Sequence, residues 1–292
     1  MMRWITAIVL LAAAPFAALA SGKPVEIGYV ESFDRPADAY VIVSDGVAKK
    51  VAILAPILNG DVIEVKDPAA SITLRLVGRD DPMIISAANQ GTPVTTEVPQ
   101  KSFWSGLFDW TSASVEVFDE EQREQVSASI RGDDEKELSV PLLASPQTLV
   151  AGKRALAIGW PSPRTVEIRI LKKGGQVVAE GRPSGGLWLT PAIDWKVGTY
   201  RIEIAAGGDT VRQTLQFIGP KKAPKLPAEL SDPAAPAPLR ASATAAFYAA
   251  SDPAYVLEAL QYVAPDARTS RPAKLLTLAL IDGKRPAPPP AP

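Results

Sequence analysis

The stretch Ser71-Ile72-Thr73-Leu74-Arg75-Leu76 alternates polar and apolar side chains with a period of two residues. A β-strand with this pattern buries one face and leaves the other in water. Asp61-Val62-Ile63-Glu64-Val65 repeats the alternation a few residues earlier in the chain. The two stretches therefore predict neighbouring strands of a half-buried sheet.

Further short β-like segments surround these two stretches, among them residues 40–43 and 51–54. Asp45-Gly46 and Asn59-Gly60 lie between the segments, and Asp, Asn and Gly provide the positive φ of tight turns. Residues 21–98 are therefore predicted to form a small β-sandwich or roll.

This first region resembles the extracytoplasmic β domain of the FecR-like family. The resemblance rests on Gly28-Tyr29-Val30, Tyr40-Val41-Ile42-Val43-Ser44-Asp45-Gly46, Leu58-Asn59-Gly60-Asp61-Val62-Ile63-Glu64-Val65 and the stretch from Ser71 to Leu76. It implies that Gly60-Asp61 shapes a turn and has no catalytic role. The chain departs from the family pattern at Gly78-Arg79-Asp80-Asp81-Pro82, and it lacks the membrane-crossing and anti-sigma elements of signal-relaying members. What remains is an exported domain that contacts a ligand or partner.

A second β pattern covers residues 147–219, where six short alternating segments are separated by turn residues. It predicts an antiparallel sandwich and is similar to immunoglobulin-like or fibronectin-III-like modules at the level of pattern. Trp160, the hairpin turn Lys172-Lys173-Gly174-Gly175 and Val197-Gly198-Thr199-Tyr200 carry this resemblance. It implies that Trp160 and Tyr200 belong to the core.

The two ends of the chain have their own composition. Residues 1–20 combine Arg3, a short apolar run and Ala18-Leu19-Ala20, which is typical of a signal peptide. An uncleaved anchor is the alternative. We expect a periplasmic or secreted protein without a transmembrane segment in the mature chain.

The C-terminal part begins with residues 220–239, which are proline-rich and predicted to be an extended linker. Residues 240–283 are predicted to form short helices, with Asp252-Pro253 capping one of them. Helices this short need a surface to dock on, either a β domain or another protein. Residues 284–292 are predicted to be a disordered proline-rich tail. The predicted fold is thus mainly β, with two small antiparallel β-sandwich or roll domains, an irregular connection and a short helical C-terminal region.

The connecting segment, residues 99–146, holds most of the candidate contact residues. The sequence leaves two interpretations of its aromatic cluster open. The cluster forms a surface that contacts a ligand or a protein, or it is packed in the core. Two tryptophans near Pro191 are further candidates. The candidate binding residues are Phe103, Trp104, Phe108, Trp110, Trp188 and Trp195.

Composition excludes much familiar chemistry, because the 292 residues contain no His and no Cys. Catalytic triads and nitrogen- or sulfur-ligated metal sites cannot be built from these side chains. The acidic runs 119–121 and 133–135 lack the alternating ligands of a calcium loop. We expect no metal, no cofactor and no catalytic residue.

The formal net charge of −1, without an evident segregation of charge, favours no nucleic-acid partner. The sequence predicts an exported non-catalytic binding or adaptor protein of the bacterial cell envelope that contacts a protein or polysaccharide. A carboxylate-dependent glycan hydrolase or lyase is the alternative, since that chemistry needs only paired acids.

Overall fold

The computed structural model describes residues 25–79, 81–96, 138–227, 230 and 236–285. Strands account for 38% and helices for 24% of these described residues, with several antiparallel sheets and three short helices near the C-terminus. The prediction of a mainly β protein with a helical C-terminal region is therefore confirmed. We call residues 25–96 the first β unit and residues 138–285 the second unit.

The first β unit contains seven strands in two sheets. They are β1 Glu26–Phe33, β2 Tyr40–Ser44, β3 Val47–Lys49, β4 Pro56–Leu58, β5 Val62–Val65, β6 Ser71–Leu76 and β7 Met83–Ser86. The sheet orders are β4-β1-β6-β7 and β3-β2-β5, and all pairs are antiparallel.

One core unites these two sheets. Ile72 and Leu74 of β6 pack in the same buried cluster as Ile42 of β2 and Ile63 of β5. Strand β6 alternates buried and partly exposed residues along its whole length, as its sequence predicts. The β2–β3 hairpin turns at Asp45-Gly46, where both residues have positive φ (48° and 78°). The alternation therefore becomes a sandwich because each sheet has one apolar face to cover.

The Gly60-Asp61 turn is held by a buried carboxylate. Asp61 is 2% exposed and accepts hydrogen bonds from the Ser44 hydroxyl and from the Leu58 backbone N–H, the latter at 2.8 Å. Gly60 has φ +93°, a conformation that favours glycine. Asp61 thus joins the end of β2 to the β4–β5 turn.

A second carboxylate, Asp34, ties the end of β1 to the start of β6. It accepts hydrogen bonds from the Ser71 backbone N–H (2.8 Å), the Tyr40 hydroxyl (2.7 Å) and the Ser71 hydroxyl (2.8 Å). These donors, the Ser71 N–H foremost, lower the pKa of Asp34 from 3.8 to about 2. The ionised form is therefore the one that stabilises the fold.

Asp34 should consequently make stability depend on pH in a defined window. Its contribution is complete above about pH 4, the ordinary carboxyl pKa, and is lost as the pH falls through its folded-state pKa of about 2. Asp34→Asn is expected to lower the free energy of unfolding at neutral pH and to weaken its decline between about pH 4 and pH 2. Urea unfolding at stepped pH measures this. Asp38→Asn, an exposed acid nearby, is the control; identical pH profiles for both variants would contradict the assignment.

The second unit begins with nine strands. They are β8 Gln147–Val150, β9 Gly152–Arg154, β10 Ala157–Gly159, β11 Glu167–Lys172, β12 Val177–Gly181, β13 Leu187–Leu189, β14 Ile193–Trp195, β15 Gly198–Ala206 and β16 Asp209–Ile218. One sheet has the order β12-β11-β15-β16-β8, and β9–β14 and β10–β13 form two-stranded pairs. Trp160 and Tyr200 are 1% and 4% exposed, so their predicted core positions are confirmed. Strand β8 runs parallel to β16, which departs from the purely antiparallel prediction.

Three helices follow, as the sequence predicts. They are α1 Ala237–Ser251, α2 Val256–Val263 and α3 Arg271–Ile281. The Asp252 side chain accepts the Ala254 backbone N–H at 2.8 Å, which confirms the predicted cap before Pro253. Within the described ranges, none of the helices has the length and apolar character needed to cross a membrane.

The helices dock on the β-strands of the same unit. Of the two docking surfaces predicted for them, a β domain or another protein, the structure shows the first. Glu258 of α2 is fully buried and accepts hydrogen bonds from Arg154 Nη1 (2.9 Å), Arg154 Nη2 and the Val150 N–H (3.0 Å). Gln261 binds both backbone groups of Ala157, at 2.7 and 3.0 Å. The polar side chains of α2 therefore satisfy strand groups that would otherwise lack partners inside the core.

Breaking this ion pair should be costly. Arg154→Leu leaves the Glu258 carboxylate buried without its cation, and loss of one partner of a buried pair costs about 3 to 5 kcal/mol. Denaturant unfolding measures the change. The control is Arg182→Leu, because Arg182 faces Glu167 at 3.8 Å in an exposed pair that is worth at most about 1 kcal/mol. Equal losses in both variants would show that Arg154 does not hold the helices.

The structure describes residues 220–227, 230 and 236–239 of the predicted linker, and some of these contact the core. Pro220–Lys222 forms a 3-10 turn, Leu226 packs against the core and Leu230 is 6% exposed. Helix α1 begins at Ala237, inside the predicted linker. Pro238 is tolerated in its first turn, because backbone N–H groups at that position have no hydrogen-bond partner within the helix. The C-terminal boundary of the predicted linker is corrected accordingly to the start of α1 at Ala237, and residues 286–292 of the predicted tail lie outside the described residues.

The two β units share a core. Tyr29, Ile53 and Leu54 of the first unit belong to the buried cluster of the second unit and its helices. Leu54 has φ +65° and is fully buried; the left-handed conformation costs a non-glycine residue about 1 to 2 kcal/mol. Residues 51–54 therefore form no strand, contrary to prediction, because the chain turns there to place Leu54 against the second unit.

Candidate functional site

The predicted aromatic cluster lies outside the residues that the structure describes. Phe103, Trp104, Phe108 and Trp110 all fall between residues 97 and 137, outside the described residues. Their proposed role as contact residues stays a prediction.

Trp195, in contrast, is placed and is a core residue. Its side chain is 1% exposed and stacks on Phe217 with ring centroids 5.2 Å apart and planes 6° apart. Tyr200 meets it edge-on at 5.9 Å, and its indole N–H donates to the Arg154 carbonyl at 3.0 Å. Trp195 has no free face for a ligand, so its assignment as a contact residue is corrected to a packing role.

Trp188 remains accessible in part. It lies on β13 opposite Ile158, and its neighbour Leu189 is 50% exposed. Its indole covers Gly181, where a Cβ atom would stand 2.8 Å from the ring. Trp188 is thus half-buried by close packing on β12, with the remainder of the ring facing solvent.

The nearly neutral chain hides a strong separation of charge. Residues 97–137 contain 11 acidic and 4 basic side chains, whereas residues 138–285 contain 11 acidic and 19 basic ones. This corrects the expectation that charge is not segregated. The second unit is the basic half of the protein, and a basic surface attracts anionic partners.

Most of the solvent face of the five-stranded sheet balances its charges internally. Four charged residues lie in register across neighbouring strands, and their charges alternate in sign. They are Glu180 on β12, Arg169 on β11, Glu203 on β15 and Arg212 on β16. Arg212 Nε lies 3.4 Å from Glu203 Oε1. Cross-strand pairs of this kind stabilise a sheet modestly and leave little net charge at its centre.

The end of the same sheet is different. A hollow of about 430 Å³, which we call the basic hollow, opens beside the β11–β12 hairpin. Its lining carries three cations, two exposed threonines and no carboxylate. The lining residues are Lys172, Lys173, Gly174, Gly175, Thr199, Tyr200, Arg201 and Thr214, of which Tyr200 has its side chain in the core. Cations near hydroxyl donors bind carboxylate or phosphate groups together with the hydroxyls of a sugar.

Local geometry keeps the hollow open. Gly174 and Gly175 have φ +97° and +85°, so the hairpin turn requires residues without a side chain. Lys172 closes the turn, its N–H donating to the Gln176 carbonyl at 2.8 Å. Arg201 Nε lies 3.0 Å from Glu203 Oε1, so one of the three cations has a carboxylate partner outside the lining of the hollow.

Sequence reasoning identified the Lys172–Gly175 segment only as a turn. The available signal was the Lys-Lys pair together with the local excess of basic residues after residue 138. Arg201 and Thr214 could not be added from the sequence, because only strand pairing brings them beside the hairpin.

The buried acids of the described residues have structural partners. Asp61 and Glu258 are bonded as above, and Glu31 accepts Arg75 Nε at 2.8 Å. Across the described ranges no three acidic residues are grouped so that they could hold a metal ion.

Comparison with known proteins provides no family. No protein-family model matches the sequence, and no curated protein matches it. Among solved structures, the crystal structure of Lac15 from a marine microbial metagenome is 14% identical, with 66% of this chain and 50% of that chain covered and a TM-score of 0.16. The chain spans half the length of that structure, and a likeness this weak carries no argument about fold or activity.

Proposed function

We propose that the protein is an exported, non-catalytic binding protein of the bacterial cell envelope whose basic hollow binds an anionic polysaccharide. The observation that carries the proposal is a hollow lined by three cations and no carboxylate, on the basic half of the chain. The leader-like residues 1–20 and the FecR-like pattern support an extracytoplasmic location.

A polymer suits this site better than a single small anion. Exposed ion pairs contribute about 0 to 1 kcal/mol each, because water and salt screen them. Lys172, Lys173 and Arg201 therefore bind one isolated carboxylate weakly. A chain with repeated charges engages several cations together and re-binds when one contact breaks, which raises the overall affinity.

The hydroxyl groups distinguish a sugar from other polyanions. The exposed residues Thr199 and Thr214 line the hollow beside the cations. The Thr199 hydroxyl already donates to Gln216 Oε1 at 2.8 Å, which leaves its oxygen as an acceptor for a sugar O–H. Mixed cation and hydroxyl chemistry favours acidic sugars and agrees with the prediction of no nucleic-acid partner.

The alternative of a carboxylate-dependent glycan hydrolase or lyase has no comparable support. The buried acids Glu31, Asp61 and Glu258 hold structural groups. That alternative therefore depends on exposed acids or on residues outside the described ranges, and a binding role is the function that the geometry favours.

Two Lys-Lys pairs in the same unit allow a matched test. Lys172→Gln with Lys173→Gln should weaken binding to polygalacturonate about tenfold at low salt, since two contacts of ~0.7 kcal/mol each sum to one decade of affinity. Lys221→Gln with Lys222→Gln removes the same charge from exposed residues outside the hollow and should have little effect. Co-sedimentation or calorimetry with immobilised or soluble polymer measures both.

Binding measurements with other polymers decide the class of partner. Neutral dextran should not bind, and added salt should weaken polygalacturonate binding. Equal losses in the two double variants would show attraction to overall charge and not to the hollow. Tighter binding of duplex DNA at equal charge concentration would overturn the polysaccharide assignment, and cleavage of the polymer would restore the enzymatic alternative.

A further inference from the structure

A second concavity, which we call the helix groove, lies on another part of the second unit. It has a volume of about 410 Å³ and runs between α3 and the loops that follow β10 and precede β13. Its walls are mainly apolar and include Pro161, Pro163, Leu187, Leu278 and Ile281, and its charged lining residues are Lys274 and Asp282. The groove shares no lining residue with the basic hollow.

The two loops that form one wall are fixed to each other. The Trp160 N–H donates to the Gly186 carbonyl at 2.9 Å, and the Gly185 N–H donates to the Pro163 carbonyl at 3.1 Å. The Trp160 indole N–H donates to the Arg164 carbonyl at 3.3 Å. The wall is therefore pre-organised, which reduces the entropy that a ligand must overcome on binding.

The opposite wall is helix α3, which packs closely on the sheet. A Cβ atom at Gly159 would stand 2.3 Å from Ile281 Cγ1, so β10 and α3 meet where only glycine fits. Lys274, Thr277, Leu278 and Ile281 follow at helical spacing and all line the groove. The helix thus presents one cation, one hydroxyl and two apolar side chains in sequence along the groove, and the Asp282 carboxylate follows at its C-terminal end, away from Lys274.

Thr277 adds an unsatisfied hydroxyl to the lining of the groove. Thr277 is 3% exposed, and its Oγ1 has no hydrogen-bond partner in the described part of the chain. Buried hydroxyls in proteins are nearly always bonded, and a missing partner costs free energy. Thr277 lines the groove, so a change of rotamer about its Cα–Cβ bond that turns the hydroxyl toward the groove would let a ligand acceptor satisfy this group.

Lys274 supplies the charge. It is exposed one helical turn before Thr277 and forms no ion pair in the described ranges. An ammonium group beside a hydroxyl donor fits a carboxylate, which accepts hydrogen bonds from both.

We propose that the helix groove binds the C-terminal end of an extended apolar peptide from a partner protein. The terminal carboxylate binds Lys274 and accepts the Thr277 hydroxyl, and apolar side chains pack on Leu278, Ile281 and Leu187. Residues 274 to 281 span about 10 Å of helix, the length of about three extended residues. With an independent polysaccharide site, the protein would act as an adaptor between polymer and protein.

The test uses four fluorescent pentapeptides, Ala-Leu-Ala-Val-Xaa with Xaa as Ala, Val, Leu or Phe, each as free acid and as C-terminal amide. Fluorescence anisotropy with the mature chain measures their affinity. At least one free acid is expected to bind about tenfold more tightly than its amide. Lys274→Gln should abolish that preference, whereas Lys225→Gln, which removes an exposed cation outside the groove, should preserve it.

Thr277→Val provides the second variant. It keeps the side-chain shape and removes the unsatisfied hydroxyl, so the fold should be as stable as before or more stable while acid binding weakens several-fold. Equal binding of acid and amide, or no binding of any of the four acids at millimolar concentration, would overturn the proposal. Lys172→Gln with Lys173→Gln should leave peptide binding unchanged, so failure of the polysaccharide site and failure of this site are distinguishable.

Discussion

The bidentate pair between Arg154 and Glu258 is the interaction on which the second unit depends. Glu258 is completely removed from water, and a lone buried carboxylate is so costly that it must be paired or neutralised. Arg154 and the Val150 N–H satisfy it from β9 and β8, at the edge where the sheet would otherwise end. The pair therefore requires α2 to lie on these strands, and α1 and α3 pack around α2.

Docking of the helices also forms the helix groove. Helix α3 forms one wall of the helix groove and reaches β1 of the first unit through the shared core that contains Tyr29 and Leu54. The strained backbone of Leu54 is retained because its side chain is buried there. The groove and the contact between units are thus consequences of one packing arrangement.

Charge is arranged differently at the two candidate sites. Across the middle of the large sheet, Arg169 and Glu203 pair in register, so the face is locally neutral. At the hairpin end, Lys172 and Lys173 lie without a carboxylate in the hollow they line. A net charge of −1 for the whole chain conceals this local excess, because an acidic stretch elsewhere cancels it in the sum. Local charge and not net charge governs what such a surface binds.

Local sequence patterns were enough to predict the mainly β class, most strand positions, the helices and the cap at Asp252, because alternation, helix spacing and capping are local properties of the chain. The sequence could not separate Trp188 from Trp195, two similar residues around Pro191, of which only Trp195 is stacked in the core. Nor could it pair Arg154 with Glu258 across 104 residues. The tertiary structure decided these features and both concavities, because contacts between distant segments depend on which faces pack together, and no local pattern records that choice.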